Sequence, residues 1–568
     1  MKPGTILLSM AVLAGAGLGG APAGAAFMSP GQDGAAVPAA TADAASDLSF
    51  YIGEYSQMKL LPAAGLTHAE IAALQQFYAS RWNQPYWMSA SGPKPIVSGL
   101  ISTLTHADLY ALSPADFAGV TGLPDRDWSQ AEPLEVARAE IRLMQAALLY
   151  ARQASAGRID PKRSGSDVTL EPQAAEPAKL LNSMASHEDP AAFLRSLHPQ
   201  TAEFAKLRET YLAYRNIAAR GGWPHIGGGA LRLGSRGAGV ARLRKRLMLS
   251  GDLPPGAALD DPRFGRPLME AVKLFQSRHG IRTDGVVGPG TRAALNVPVG
   301  TRIRQLALNL ERRRWLPDDL GRRHVVVNQP EYRLRVVENG KTVHETRVVI
   351  GKPTQQTPEF SDEIELVVLN PYWNVPRSIA TKEILPILRR NPGYLSRKGM
   401  QLVNQRGKPV SPYRINWSRQ SRRGFNYSIR QRPGAGNALG RIKFLFPNQH
   451  SVYLHDTPSK SLFSRPRRAF SHGCVRVQNP VRLAEVLMKP QFGWSRRTLA
   501  GKISTRRNQP IRLKQTIPVH LTYHTVWVGK EGAVHFADDM YGRDRRLAEV
   551  MDFADPKRKF ARLQVGGD

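Results

Sequence analysis

The sequence predicts a multidomain α+β chain, with a helical N-terminal half followed by a β-sandwich or barrel that carries a helical lid insertion. Three observations lead there. At 568 residues the chain is long enough for about two to four domains. Apolar residues recur every three or four positions up to Trp315, then every second position from His324 onward. The single cysteine, Cys474, lies deep in the second half, within Ser471-His472-Gly473-Cys474-Val475-Arg476-Val477.

Residues 1–26 read as a secretory signal. Lys2 gives a minimal basic start, the run from Ile6 to Leu18 is apolar, and Ala21-Pro22-Ala23 and Ala23-Gly24-Ala25 are small-x-small cleavage patterns. The apolar run is short for a spanning helix, so cleavage near Ala25 is favoured over an uncleaved anchor. Residues 27–47, rich in Ala, Gly, Pro and Asp, read as a flexible lead-in.

Residues 48–227 read as helical. Thr67-His68-Ala69-Glu70 is a capping box ahead of Ile71, Leu74 and Phe77. The aromatic cluster Arg81 to Trp87 is expected in the core, because buried aromatics dominate cores. Residues 228–298 form a compact helical unit: Val240, Leu243 and Leu247 share one face, Leu268, Val272 and Phe275 another, and Asp284-Gly285 marks a turn. Residues 299–323 hold a linker helix ending at Pro317.

Residues 324–568 form the β domain. Tyr332, Leu334 and Val336 alternate with Arg333 and Arg335, and Asn339-Gly340 is a tight hairpin turn. Residues 378–431 interrupt the alternation and read as a lid with a helix over Ile379 to Leu388.

Lys plus Arg total 79 against 46 Asp plus Glu, a net charge of +33. No zinc-finger, RNP-like or basic-zipper pattern accompanies it, which argues against nucleic acid and for an anionic envelope. Most individual arginines are expected to be simply solvated.

A lone thiol makes no internal disulfide, and a free cysteine is more often a small apolar core residue than a nucleophile. Two nearby histidines shift the balance: a thiol becomes a nucleophile when an imidazole takes its proton. Gly473 leaves room for close approach of a substrate. In an extended Cys-Val-Arg-Val run, Arg476 shares the face of Cys474. Tyr453 should share a face with His455. Trp373 is either a pocket wall or core. A zinc site built on His450, His455 and His472 is disfavoured, since there is no second cysteine and no His-Glu-x-x-His. No metal or cofactor is expected.

His455 followed by Ser471-His472-Gly473-Cys474-Val475-Arg476 resembles the signature of L,D-transpeptidases with a YkuD-type catalytic domain. The flanks Asn437-Ala438-Leu439-Gly440 and Val452 to Pro458 extend the match. The resemblance implies an antiparallel β-sandwich with a capping insertion at 378–431. It also implies a helical scaffold of the larger periplasmic type at 48–227 and, from Leu274-Phe275-Gln276 and Asp284-Gly285, a small three-helix peptidoglycan-binding-like domain at 228–298. It assigns the nucleophile to Cys474, the base to His455 and a supporting role to His472. The implied substrates are peptidoglycan tetrapeptide stems, joined 3→3 through an acyl-enzyme that carbapenems trap. Backbone amides of Gly473 and Cys474 are the candidate oxyanion donors; Arg476, Tyr453 and Ser471 complete the site. Open alternatives are a carboxypeptidase, a protein-attachment enzyme, a cysteine peptidase, and a wall-binding protein with an inert cysteine. An imidazole base predicts activity that falls in acid.

Overall fold

The computed structural model describes residues 40–57 and 65–551. The signal segment and most of the lead-in lie outside them. The first helix, Ala40–Gln57, already spans the end of the expected flexible stretch. It forms because Leu48 and Ile52 bury against the long helix Pro133–Ala156. No helix among the described residues is long and apolar enough to cross a membrane.

The helical half gathers around Pro133–Ala156. The Thr67 capping box is present: Thr67 Oγ1 accepts from Glu70 N at 3.2 Å and Glu70 Oε2 accepts from Thr67 N at 2.6 Å. The aromatic cluster divides. Tyr86 and Trp87 are buried, while Trp82 is 86% exposed. The fully buried Glu140 carboxylate pins this loop, accepting from the backbone N–H groups of Tyr86, Trp87 and Met88 and from Tyr78 Oη. A buried carboxylate is tolerable only with that many donors.

Helices Ala238–Leu249, Arg266–Arg278 and Pro289–Leu295 enclose a small core of Val240, Leu243, Leu247, Leu268, Val272, Phe275 and Leu295. The Val299–Arg314 helix, expected as a linker between the two halves, is a buried strut. It packs on Ala202–Ala219 and on the hairpin Val526–Val528/Val534–Phe536. Its Asn309 donates to Thr525 Oγ1 at 2.8 Å and accepts from Val526 N at 3.1 Å.

Nine strands make the main sheet: β1 (Arg323–Asn328), β2 (Arg333–Glu338), β3 (Lys341–Gly351), β4 (Phe360–Leu369), β5 (Ile442–Leu445), β6 (Leu454–His455), β7 (Ala469–Ser471), β8 (Val475–Val477) and β9 (Gln509–Thr522). Their order is β7-β3-β8-β6-β5-β4-β9-β1-β2, and β2 also pairs with β3, so the sheet closes into a ring. The fold class is the expected mixture of helical and β domains. Within the sheet, however, β6–β8, β7–β3 and β9–β1 are parallel pairs, which alternation alone cannot distinguish from antiparallel ones. The hairpin at Asn339-Gly340 has both residues at positive φ, 49° and 72°, as a two-residue turn of this hand requires.

The insertion between β4 and β5 is more than a helical lid. It contains the helical run from Arg377 to Arg390 and a four-stranded antiparallel sheet of Trp373–Asn374, Ser428–Gln431, Met400–Val403 and Pro409–Val410. It has its own core of Ile384, Leu388, Leu402, Trp417, Phe425 and Ile429. Strands of two to four residues are too short to leave a periodic signal in the sequence.

Candidate active site

The site is built where β5, β6 and β8 lie side by side. Lys443 pairs with His455 across β5 and β6, and His455 with Arg476 across β6 and β8. Residues directly opposite one another on paired strands share a face. The other face carries Phe444, Leu454, Val475 and Val477, all fully buried in the core. The hydrophobic demand of Leu454 and Val475 therefore turns His455, Arg476 and Lys443 to the opposite side. Tyr453 joins them, its ring 5.6 Å from that of His455.

The turn behind His455 is locked to the stretch before β5. Gly440 is at φ +61°, and a Cβ there would lie 2.3 Å from the Asp456 carboxylate. That carboxylate accepts from Arg441 N at 2.8 Å and from Thr457 N at 2.7 Å, and it pairs with Lys460. Asn437 donates to Pro371 O at 3.1 Å and accepts from Leu439 N at 2.8 Å.

Cys474 sits in the bend between β7 and β8. Gly473 is at φ +114°, where a side chain would be strained, whereas the space at its Cα is ordinary. Conformation, more than clearance, calls for glycine here. Ser471 Oγ donates to Cys474 O at 2.5 Å and accepts from Gly473 N at 3.1 Å. That takes up one of the two expected oxyanion donors. The Cys474 N–H makes no hydrogen bond among the described residues. From the other side, the buried Thr357 Oγ1 donates to Gly473 O at 2.7 Å and accepts from Gly351 N at 2.9 Å.

The sulfur is half-buried and lies 3.9 Å from the carbonyl oxygen of Ser451. Burial pushes the thiol above its ordinary value near 9, opposed by hydrogen bonding from Tyr453 and by the charges of Lys443 and Arg476. His455 is buried, and its Nδ1 lies 2.5 Å from Asp456 O. Only a protonated nitrogen can face a carbonyl, so Nε2 is the lone-pair nitrogen. Burial, then Arg476 and Lys443, lower this imidazole to about 3. It is therefore neutral at physiological pH. No hydrogen bond joins the sulfur to an imidazole among the described residues.

Lys443 and Arg476 are both half-buried, and neither pairs with a carboxylate among the described residues. Lys443 Nζ lies 3.9 Å from the Tyr453 ring centroid. Arg476 Nε has no partner among the described residues. Burial lowers both cations, and Cys474 opposes that in each case.

The structure thus brings Cys474, Tyr453, His455 and Arg476 to one place, with Ser471 and Gly473 shaping the bend. Exposed His472 turns away and pairs through Nε2 with Glu383 Oε1 of the insertion at 2.7 Å. Trp373 packs against the insertion's own core. His450 bonds Thr169 Oγ1 at 2.9 Å, so the three histidines of the zinc alternative do not converge. Among the described residues no group of three His, Cys, Asp or Glu is arranged to hold a metal. Lys443 and Thr357 were missed at the sequence level. Lys443 alternates with the core residues Ile442 and Phe444, which marks its face but not its neighbours.

The fold and this motif define a class. Residues 322–499 match the L,D-transpeptidase catalytic domain, YkuD, residues 72–210 a scaffold domain, and residues 236–295 a "Putative peptidoglycan binding domain". The chain therefore carries a YkuD L,D-transpeptidase catalytic domain joined to a scaffold domain and a peptidoglycan-binding domain. In particular, it is 34% identical over 248 residues to a Haemophilus influenzae protein named "Putative L,D-transpeptidase", covering 43% of this chain and 50% of that one. The chain thus matches half the length of this curated relative. Among solved structures, an L,D-transpeptidase from Xylanimonas cellulosilytica is 18% identical and covers 52% of this chain and 98% of its own, with a TM-score of 0.17. One from Mycobacterium smegmatis is 12% identical and covers 35% and 58%, with a TM-score of 0.17.

Proposed function

We propose that this protein is an exported L,D-transpeptidase that forms 3→3 cross-links between peptidoglycan tetrapeptide stems through an acyl-enzyme on Cys474. The observation that supports this best is the row Lys443–His455–Arg476 across three strands, with Cys474 and Tyr453 beside it.

In the first half-reaction, Cys474 Sγ attacks the carbonyl carbon after the third stem residue. The thiol proton passes to His455 Nε2, the basic nitrogen left by the Asp456 contact. As the C–N bond to the terminal D-alanine breaks, His455 returns that proton to the leaving amine, and a thioester remains. In the second half, the amine of a neighbouring stem attacks the thioester carbonyl and the C–S bond breaks. The proton lost by the amine returns through His455 to sulfur. The neutral imidazole and protonated thiol of the resting state suit a base that acts as the substrate arrives. The Cys474 N–H is the backbone donor free to stabilise the oxyanion. Arg476 and Lys443 supply charge for the thiolate and for a substrate carboxylate. His472 supports the site through the insertion.

The test is mass spectrometry of the intact protein after incubation with a tetrapeptide muropeptide, and separately with a carbapenem. An adduct on Cys474, followed by dimeric muropeptides, is expected. Dimers formed equally well by Cys474→Ala would refute the acyl-enzyme. Shortened monomers alone would replace cross-linking with carboxypeptidase activity.

A further inference from the structure

The insertion between β4 and β5 has an unusual charge balance. Over residues 377–432 there are 14 Lys or Arg and a single acid, Glu383. The remaining 512 residues hold 79 − 14 = 65 basic and 46 − 1 = 45 acidic residues, an excess of 20 spread over about nine times the length. The insertion's net +13 is thus a large part of the chain's +33, drawn from 56 residues.

These cations are not structural ion pairs. Among the described residues none of the fourteen pairs with a carboxylate, and all except half-buried Arg430 are exposed. Arg377 and Arg389 donate to backbone carbonyls, which leaves their charge uncancelled. The one acid is spent on His472. Solubility needs both signs interspersed; a one-sign field repels itself and is tolerated where it attracts a partner.

The field is also contiguous with the site. The insertion leaves the sheet after β4, returns at β5, and touches the cysteine motif through Glu383–His472. Two further cations with no carboxylate partner among the described residues, Lys443 and Arg476, stand beside the sulfur. A polymer bearing repeated carboxylates would meet the same chemistry at the insertion and at the site. The insertion exposes few large apolar side chains, chiefly Tyr413 and Ile387, which is too little for burial in a lipid surface.

We infer that the insertion is an electrostatic docking surface for the carboxylates of peptidoglycan stem peptides, guiding the polymer to Cys474. This rests on the substrate class proposed above and adds to it a binding role for the insertion. Such a surface acts over many weak contacts and is screened by salt.

The experiment compares the full-length protein with a variant carrying Arg397, Arg406, Lys408, Arg414, Arg419 and Arg422 each changed to Gln. None of these side chains makes a hydrogen bond or ion pair among the described residues, and an unchanged melting curve checks the fold. Binding is measured by co-sedimentation with purified sacculi, with sacculi whose stem carboxylates have been amidated, and with vesicles of anionic phospholipid. The expected result is binding to native sacculi weakened on the order of tenfold in the variant, a gap that closes as salt is added. Amidation should weaken the parent protein by a similar factor and the variant little. Equal sacculus binding by both proteins would overturn the inference, as would indifference to amidation. So would a charge-dependent loss seen with vesicles but not with sacculi. Carbapenem acylation of Cys474 is read in parallel and should match in the two proteins. Failure of acylation in both would count against the proposed chemistry while leaving the docking result readable.

Discussion

Lys443 holds its ammonium 3.9 Å from the centre of the Tyr453 ring, on the strand face that also carries Cys474. A half-buried ammonium without a carboxylate is costly unless something else in the site makes use of its charge. The thiolate of Cys474 is the charge within its influence.

Lys443→Met should therefore lower the thiolate fraction of Cys474, on the order of tenfold for one unit of pKa. The rate of alkylation by iodoacetamide at fixed pH measures it. Lys443→Arg should restore much of the rate, whereas a merely structural lysine would give equal rates in Met and Arg variants of equal stability.

The pH dependence expected from an ordinary imidazole base needs revision. His455 is lowered to about 3, so it stays deprotonated and competent through mild acid. Cys474 is raised above its usual value near 9, so the thiolate fraction keeps growing as pH rises through neutrality. Alkylation of Cys474 should climb about tenfold per pH unit between pH 6 and 8 without a plateau. A plateau already reached at pH 6 would reveal a thiolate–imidazolium pair and contradict this electrostatic picture.

Thr357→Val should cost about 1–3 kcal/mol, because the Gly351 N–H and the Gly473 carbonyl both lose their partner in a buried place. It should also loosen the cysteine bend, so acylation slows by more than the loss of folded protein explains. Thermal melting and carbapenem acylation, measured on the same sample, separate the two effects. Unchanged acylation per folded molecule would remove Thr357 from any role in positioning Cys474.

Much of the site could be read from the chain because strand alternation is a local rule. It set Arg476 on the face of Cys474, and Tyr453 with His455. His472 has the parity of Cys474 but lies outside the extended run. Gly473 at φ +114° breaks the extended run between them, and His472 meets Glu383 instead. Lys443 and Thr357 escaped notice because neighbours are set by sheet order, which lays β5 beside β6 and joins β3 to β8 across a long gap in sequence. The capping box at Thr67 and the turn at Asn339-Gly340 were legible for the opposite reason, since each closes within a few residues. The short strands of the insertion carried too few residues to show a period.

The closure of the main sheet through β2 and β3 bears on how much variation the cysteine strand can absorb. β8 is gripped on one side by β6, running parallel, and on the other by β3, running antiparallel. A one-residue slip of β8 would swing Val475 and Val477 toward solvent and carry Arg476 into hydrocarbon. With partners on both flanks, no free edge offers an alternative alignment. Insertions and deletions should therefore be confined to the connecting segments, leaving the spacing from Cys474 to Val477 the least negotiable length in the molecule.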